Sequence, residues 1–395
     1  MAHHVVVDLF SALAALSALC SGLGIAYTVA ATFFMRRFFS RPTFSPVHFP
    51  AVTVIKPLRG DEWQLLENLA SFVEQDYPGP VQYVFGVHDR GDAALRTVEL
   101  LRAHFPEKNI TVVVDGRLYG PNRKIANLTN MLHHAEHDVL CFADSDVRVG
   151  PRFLRDIVGA LEQPGVGLVT SAYRGSSAPG FWPRVSSAMT NYHFLPGVVT
   201  GLSIGRARPC FGQTIAITRT TLARIGGLAQ FAYHLAEDYA IGEAVRRSGL
   251  SVVIPPLVVD HACVETTFSQ LMAHELRWCR TIRAADRSGH LGAILMHPFP
   301  LALLAALFSF SFGEPLACAL IGLALTTRAI LVWQTNRATG TRDSGFPWLP
   351  LWDVLQFVIY VASFFSSRVL WRGQHFDVDE DGLLSPCVQH DPSLK

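Results

Sequence analysis

The sequence predicts an α/β domain carried between membrane-spanning helices, and three observations predict it. Only 16% of the 395 residues are Asp, Glu, Lys or Arg, whereas 50% are apolar and 26 are Phe; an ordinary soluble domain carries about 25% charge. Long runs without charge stand toward both ends of the chain. Between them, short β-rich runs alternate with helical patterns. This composition excludes a disordered chain, a fibrous repeat and a secreted mini-protein. A net charge of +1 offers no basic field to nucleic acid, so no nucleic-acid partner is expected.

The membrane elements come first in chain order. Residues 9–35 are 27 consecutive uncharged residues, enough to cross about 30 Å of hydrocarbon with some tilt. No basic segment precedes the run, so it reads as an anchor rather than a cleaved signal. Arg36, Arg37 and Arg41 follow it, which by the positive-inside rule puts the rest of the chain in the cytoplasm. A second apolar zone, 291–335, reads as a transmembrane hairpin turning at Gly313-Glu314-Pro315, with Arg328, Arg337 and Arg342 at its return. A third stretch, 347–367, contains Asp353 and is either a span or a re-entrant segment; 368–395 is a tail. The seven cysteines form no C-x-x-C and read as reduced structural thiols.

The polar block, 45–288, is the soluble domain. Val52–Ile55, Gln82–Val87, Ile110–Val114, Asp138–Phe142, Gly167–Ser171 and Thr214–Ile217 read as strands. Stretches 62–75, 93–105, 121–135, 151–162 and 236–248 read as helices. Such alternation predicts a mostly parallel sheet covered on both faces, with ligands bound beyond the carboxyl ends of the strands. Residues 185–205 carry no charge but hold Asn191, Pro196, Gly197 and Gly201; they read as an interfacial helix or a buried segment.

Strand ends deliver carboxylates to one rim. Asp89 and Asp92 follow the second strand, and Asp144-Ser145-Asp146 follows the fourth. Leaving a strand, residues two apart point the same way, and two carboxylates on one side suit Mg²⁺ or Mn²⁺ holding phosphate oxygens. A solvated turn is the plainer reading. Ala236-Glu237-Asp238-Tyr239 opens a helix, where Asp serves either chemistry or the helix dipole. His274-Glu275-Leu276-Arg277-Trp278 offers a guanidinium for diphosphate and an indole for stacking, or simply a basic helix near the membrane. His133, His134, His137 and Glu136 read as a solvated helix face. No Walker A, no GxGxxG after the first strand and no G-x-S-x-G elbow occurs.

Taken in order, these stretches resemble the membrane glycosyltransferases of the GT-A fold, and most closely glycosyltransferase family 21, the ceramide glucosyltransferase-like family. The resemblance rests on Val54-Ile55-Lys56-Pro57-Leu58-Arg59-Gly60, Asp89 with Asp92, Gly120-Pro121-Asn122-Arg123-Lys124-Ile125-Ala126-Asn127, Asp144-Ser145-Asp146, Glu237-Asp238-Tyr239 and Arg277-Trp278. Within the family the chain looks most like the bacterial hopanoid-associated branch; His274 stands where the ceramide enzymes carry Gln or Arg. The resemblance implies a GT-A (Rossmann-like) domain and transfer of GlcNAc or Glc from a UDP-sugar to a lipid hydroxyl, with ceramide as the alternative to a hopanoid acceptor. It implies that Lys56, Asp89, Asp92, Asn122, Lys124, Asn127 and Asp144 bind the nucleotide sugar. It implies that Asp144 and Asp146 hold the metal, that Asp238 is the base, and that His274, Arg277 and Trp278 meet acceptor and diphosphate. Rival readings are a processive polysaccharide synthase, and a transporter or scaffold; the latter would place its polar residues inside the spans.

Overall fold

A computed structural model describes residues 2–309, 314–341, 348–365, 368–371, 374–378 and 384–386. The chain divides into two compact units: residues 41–178, 209–264 and 373–395 form one, and 1–40, 179–208 and 265–372 the other.

Among the described residues, 41–178 and 209–264 of the first unit carry ten strands: β1 (Val52–Pro57), β2 (Val81–Val87), β3 (Asn109–Val114), β4 (Val139–Ala143), β5 (Val147–Arg148), β6 (Val166–Thr170), β7 (Ala172–Ser177), β8 (Thr214–Thr218), β9 (Ser251–Val253) and β10 (Val258–Cys263). Seven make one sheet in the order β3-β2-β1-β4-β8-β6-β9. The parallel half, β3-β2-β1-β4, is what the near-continuous apolar runs of β1, β2 and β4 call for, because helices bury both faces. The other half departs from the expected mostly parallel sheet, since β8 runs antiparallel to both β4 and β6. Parallel neighbours need a crossover laid over the sheet. The chain instead leaves this unit after Ala178 and returns at Pro209 to feed β8.

A second, three-stranded sheet joins β5, β10 and β7. Its register sets His261 of β10 opposite Val147 of β5, directly after Asp146. The core of the unit gathers Ile55, Val84, Ile125, Leu140, Phe142 and Ile217. Gly159 is required by closeness: a Cβ there would lie 2.2 Å from the carbonyl oxygen of Phe44. Among the described residues no cysteine is in a disulfide, and Cys141, Cys210 and Cys263 are buried.

The second unit is helical. Its first helix runs from Ala2 to Phe39. Among the described residues two helical stretches, Val5–Phe39 and Pro315–Thr339, are long and apolar enough to cross a membrane, so the chain is a membrane protein. The first limb of the expected hairpin is not one straight helix. It breaks at His297, and Arg287–Met296 and Pro298–Phe308 meet at 69°. Pro298 has no N–H and its ring collides with the preceding turn, so it opens a new helix instead of continuing the old one. Gly313 of the expected turn, Arg342 of the expected return and residues 372–373, 379–383 and 387–395 of the tail lie outside the described residues.

The third stretch forms the helix Leu349–Ala362, of 14 residues, or about 21 Å at 1.5 Å per residue. The two charges that interrupt the apolar runs answer each other. Arg328 donates to Asp353 at 2.8 Å and 2.7 Å in a bidentate pair, with side chains only 4% and 6% exposed. Its remaining arm donates to the carbonyl of Tyr192 at 2.9 Å. Tyr192 lies in a π-helical turn, Thr190–Phe194, between the helices Phe181–Met189 and Leu195–Ser203. Val185, Met189, Tyr192, Leu195 and Val199 are buried, so much of 185–205 serves as packing surface.

Candidate active site

The site grows from the carboxyl ends of β1, β2 and β4. Asn122 caps the helix Arg123–Leu132, its side-chain oxygen accepting from Ile125 N at 3.1 Å. That cap aims Lys124, in the first turn, at the residues leaving β4. Lys124 Nζ lies 2.6 Å from Asp144 Oδ1 and 3.3 Å from Glu237 Oε1, and donates to the carbonyl of Gly212 at 3.3 Å. Burial opposes the charge on Lys124, but Asp144 and Glu237 outweigh it and raise its pKa. One lysine thus ties the D-S-D triplet to the E-D-Y helix.

The two carboxylates of that helix have different surroundings. Glu237 is held by Lys124 and by the Asn122 amide, which donates to it at 3.1 Å. Asp238 accepts one backbone N–H on each oxygen, from Gly212 at 2.8 Å and from Tyr239 at 2.7 Å. Burial, reinforced by the charge of Glu237, pushes the Asp238 carboxyl up to about 7. Asp238, Asp144, Lys124, Glu237 and Gly212 line a common cavity.

On the other side of the triplet, His261 Nδ1 approaches Asp146 Oδ2 at 3.3 Å. Burial would raise the Asp146 carboxyl, but His261 overrides it, so its pKa falls, while burial pushes that of Asp144 up. Glu62 is a third carboxyl in this neighbourhood. Burial, and then the charges of Asp146 and Asp144, raise it to about 7, and its Oε2 has no hydrogen-bond partner.

Neither Glu62 nor His261 stood out in the sequence. Glu62 lay at the start of an expected helix, and β10 carries no recognisable strand signal before the fold pairs it with β5.

Three residues expected at the nucleotide are buried. Lys56 is fully buried, donates to the carbonyl of Val147 at 3.3 Å and lies 3.6 Å from the centroid of the Phe72 ring; burial lowers its pKa to about 7. Asn122 is likewise fully buried in its capping role. Asn127 is 3% exposed and stitches its helix to β2 by donating to Gly86 O at 2.8 Å.

Asp92 accepts from Gly60 N at 2.8 Å and Ala94 N at 3.0 Å, joining the loops after β1 and β2. Asp89 is exposed and accepts from Gly91 N at 2.8 Å. His274, Arg277 and Trp278 belong to the helical unit, on the helix Phe268–Ala285.

Among the described residues no three His, Cys, Asp or Glu side chains converge tightly enough to enclose a metal ion. The donor set still fits a hard cation. Two carboxylates two residues apart, beside a third whose buried oxygen lacks a partner, suit an ion whose shell is completed by phosphate oxygens and water.

Comparison with known proteins bears on the family and the fold. The chain is 24% identical over 206 residues to ceramide glucosyltransferase 1 of Caenorhabditis elegans, covering 52% of this chain and 44% of that protein. It is 22% identical over 459 aligned positions to the ceramide glucosyltransferase of Komagataella phaffii, covering 88% and 86%. The chain spans about half the length, 44% and 50%, of the two Caenorhabditis elegans relatives it matches. In fold it is similar to the mannosyltransferase of Pyrobaculum calidifontis solved with GDP-Man and Mn²⁺, at 21% identity and a TM-score of 0.50 over 90% of this chain and 99% of that one. The family model of glycosyl transferase family 21 matches residues 16–384, and the chain belongs to that family of glycosyltransferases.

Proposed function

We propose that this glycosyltransferase moves a hexose or N-acetylhexosamine, GlcNAc or Glc, from a UDP-sugar to a hydroxyl of a membrane lipid, with inversion at the sugar. The observation that carries the reading is Asp238, a carboxylate raised to about 7 and placed beside Lys124 and the D-S-D triplet. A base is most effective when its pKa lies near the working pH. Asp238 takes the proton of the acceptor hydroxyl as the sugar–oxygen bond forms. Glu237, already held by Lys124 and Asn122, keeps Lys124 in place rather than moving a proton. Lys124 presents positive charge on the side where the diphosphate departs. Asp144 and Asp146 would hold Mg²⁺ or Mn²⁺, whose charge, when bound, offsets that of the leaving diphosphate. Asp89 faces solvent where a nucleotide can reach it, while Asp92 fixes the loop that carries it. Arg277 and Trp278 serve the acceptor and its approach from the bilayer.

A hopanoid polyol such as bacteriohopanetetrol is the preferred acceptor, because His274 departs from the ceramide pattern; the relatives named as ceramide glucosyltransferases support ceramide as the second reading. The catalytic unit faces the cytoplasm of a bacterial inner membrane. Mass spectrometry of lipids from membranes containing the protein, incubated with UDP-GlcNAc or UDP-Glc and either acceptor, tests the reading. A monoglycosylated polyol lipid with release of UDP is expected. Glycosylated ceramide alone would transfer the reading to ceramide, and a sugar polymer would overturn it.

A further inference from the structure

The helix Phe268–Ala285 starts on a folded-back strap. The Thr267 hydroxyl accepts from Gln270 N at 3.2 Å, and the Gln270 side chain accepts in turn from Thr266 N at 2.8 Å, in the manner of a capping box displaced by one residue. The strap sets Glu265 alongside the second turn of the helix, where His274 Nδ1 is bonded to its carboxylate. The two side chains are 11% and 16% exposed.

His274 and Trp278 are four residues apart and so lie one above the other on the helix. Imidazole and indole meet edge to face, with centroids 4.7 Å apart and planes at 88°. Phe194 lies against the indole as well, at 5.7 Å and 52°. The indole of the Arg277-Trp278 motif is therefore placed by two rings, and one of these is oriented by a carboxylate outside the helix.

A buried ion pair is weak evidence for stability, because apolar residues of similar volume often do as well. What such a pair offers is direction. The χ2 torsion of histidine is broad and two-fold, and a bond to Nδ1 selects one orientation of the ring and hence the edge it turns to the indole. We propose that Glu265 and His274 are a positioning pair that fixes the ring of Trp278 for the acceptor lipid, so that His274 acts through Trp278. This rests on the acceptor role given to Trp278 above. Burial would raise the Glu265 carboxyl, but His274 more than offsets it and holds it at about 2.

The test uses the full-length protein labelled with 5-fluorotryptophan. The chain has seven tryptophans, and Trp278→Phe identifies the Trp278 ¹⁹F resonance. Glu265→Gln and His274→Gln should each shift or broaden that resonance and leave the others in place. Each should also raise the acceptor KM about tenfold, within the range for coupled neighbours, with the donor KM little changed. In the Trp278→Ala background Glu265→Gln should add nothing further. An unmoved Trp278 resonance in both variants overturns the proposal, as does an equal loss toward donor and acceptor accompanied by a fall in Tm. A moved resonance with an unchanged acceptor KM upholds the pairing and overturns the acceptor role of Trp278 instead.

Discussion

At the scale of single residues, charge is arranged around Lys124. It neutralises Asp144 and Glu237, while the neighbouring Asp238 is left with backbone N–H partners and a raised pKa. A carboxyl with a pKa of about 7 is half protonated at neutral pH, so turnover should climb as pH rises through about 7 and level off above it. Asp238→Asn removes the proton acceptor while keeping the shape. It should lower kcat by at least about 10², within the span typical of a general base, with UDP-sugar binding little changed. Glu237→Gln should cost less, because Glu237 orients Lys124 rather than taking a proton. Near-normal turnover in Asp238→Asn, measured by UDP release, would make Asp238 a structural residue. At the D-S-D triplet, EDTA should abolish transfer and Mg²⁺ or Mn²⁺ restore it. Asp146→Asn should weaken nucleotide binding in the presence of metal while leaving Tm nearly unchanged; calorimetry with UDP reads the first and thermal unfolding the second.

At the scale of elements, the helical unit shows how a charge is carried inside an apolar segment. Arg328 and Asp353 sit on different helices and satisfy each other, and the spare guanidinium arm closes the π-helical turn at Tyr192. Removing one partner of a buried pair strands the other at a cost of about 3–5 kcal/mol, whereas replacing both with apolar residues costs little. Asp353→Ala should therefore lower the unfolding temperature in detergent far more than the double variant Arg328→Met with Asp353→Leu. An equal loss in both would mean that the pair contributes by packing alone. The same pair explains why Asp353 left the 347–367 stretch ambiguous in sequence: a charge reads as an interruption until the helix carrying its partner is found.

At the scale of the whole molecule, the order of elements ties the α/β domain of a glycosyltransferase to membrane helices. Arg36 and Arg37 lie in the last turn of the long first helix and Arg41 follows it, and positive residues stay on the cytoplasmic side. A cysteine placed at the exposed Glu99, on the helix Ala94–His104, in an otherwise cysteine-free chain should escape a membrane-impermeant thiol reagent in intact cells and react after permeabilisation. Labelling in intact cells would reverse the orientation.

Local pattern alone determined the apolar anchor, the strands β1, β2, β3, β4, β6 and β8, and the family, because each is written in contiguous residues: a run of hydrocarbon length, a β-rich stretch between turns, a motif of fixed spacing. The D-S-D and E-D-Y motifs were legible for the same reason. The tertiary structure decided what depends on residues far apart in the chain. The antiparallel course of β8, the approach of His261 to Asp146 through the register of β5 and β10, and the presence of Glu62 beside the triplet have no local signature. Burial belongs to the same class. Lys56, Asn122 and Asn127 carry polar groups that read as ligand contacts in sequence, and only the packing of β1, β2 and the helix Arg123–Leu132 around them shows how deeply those groups are buried and what they bond to.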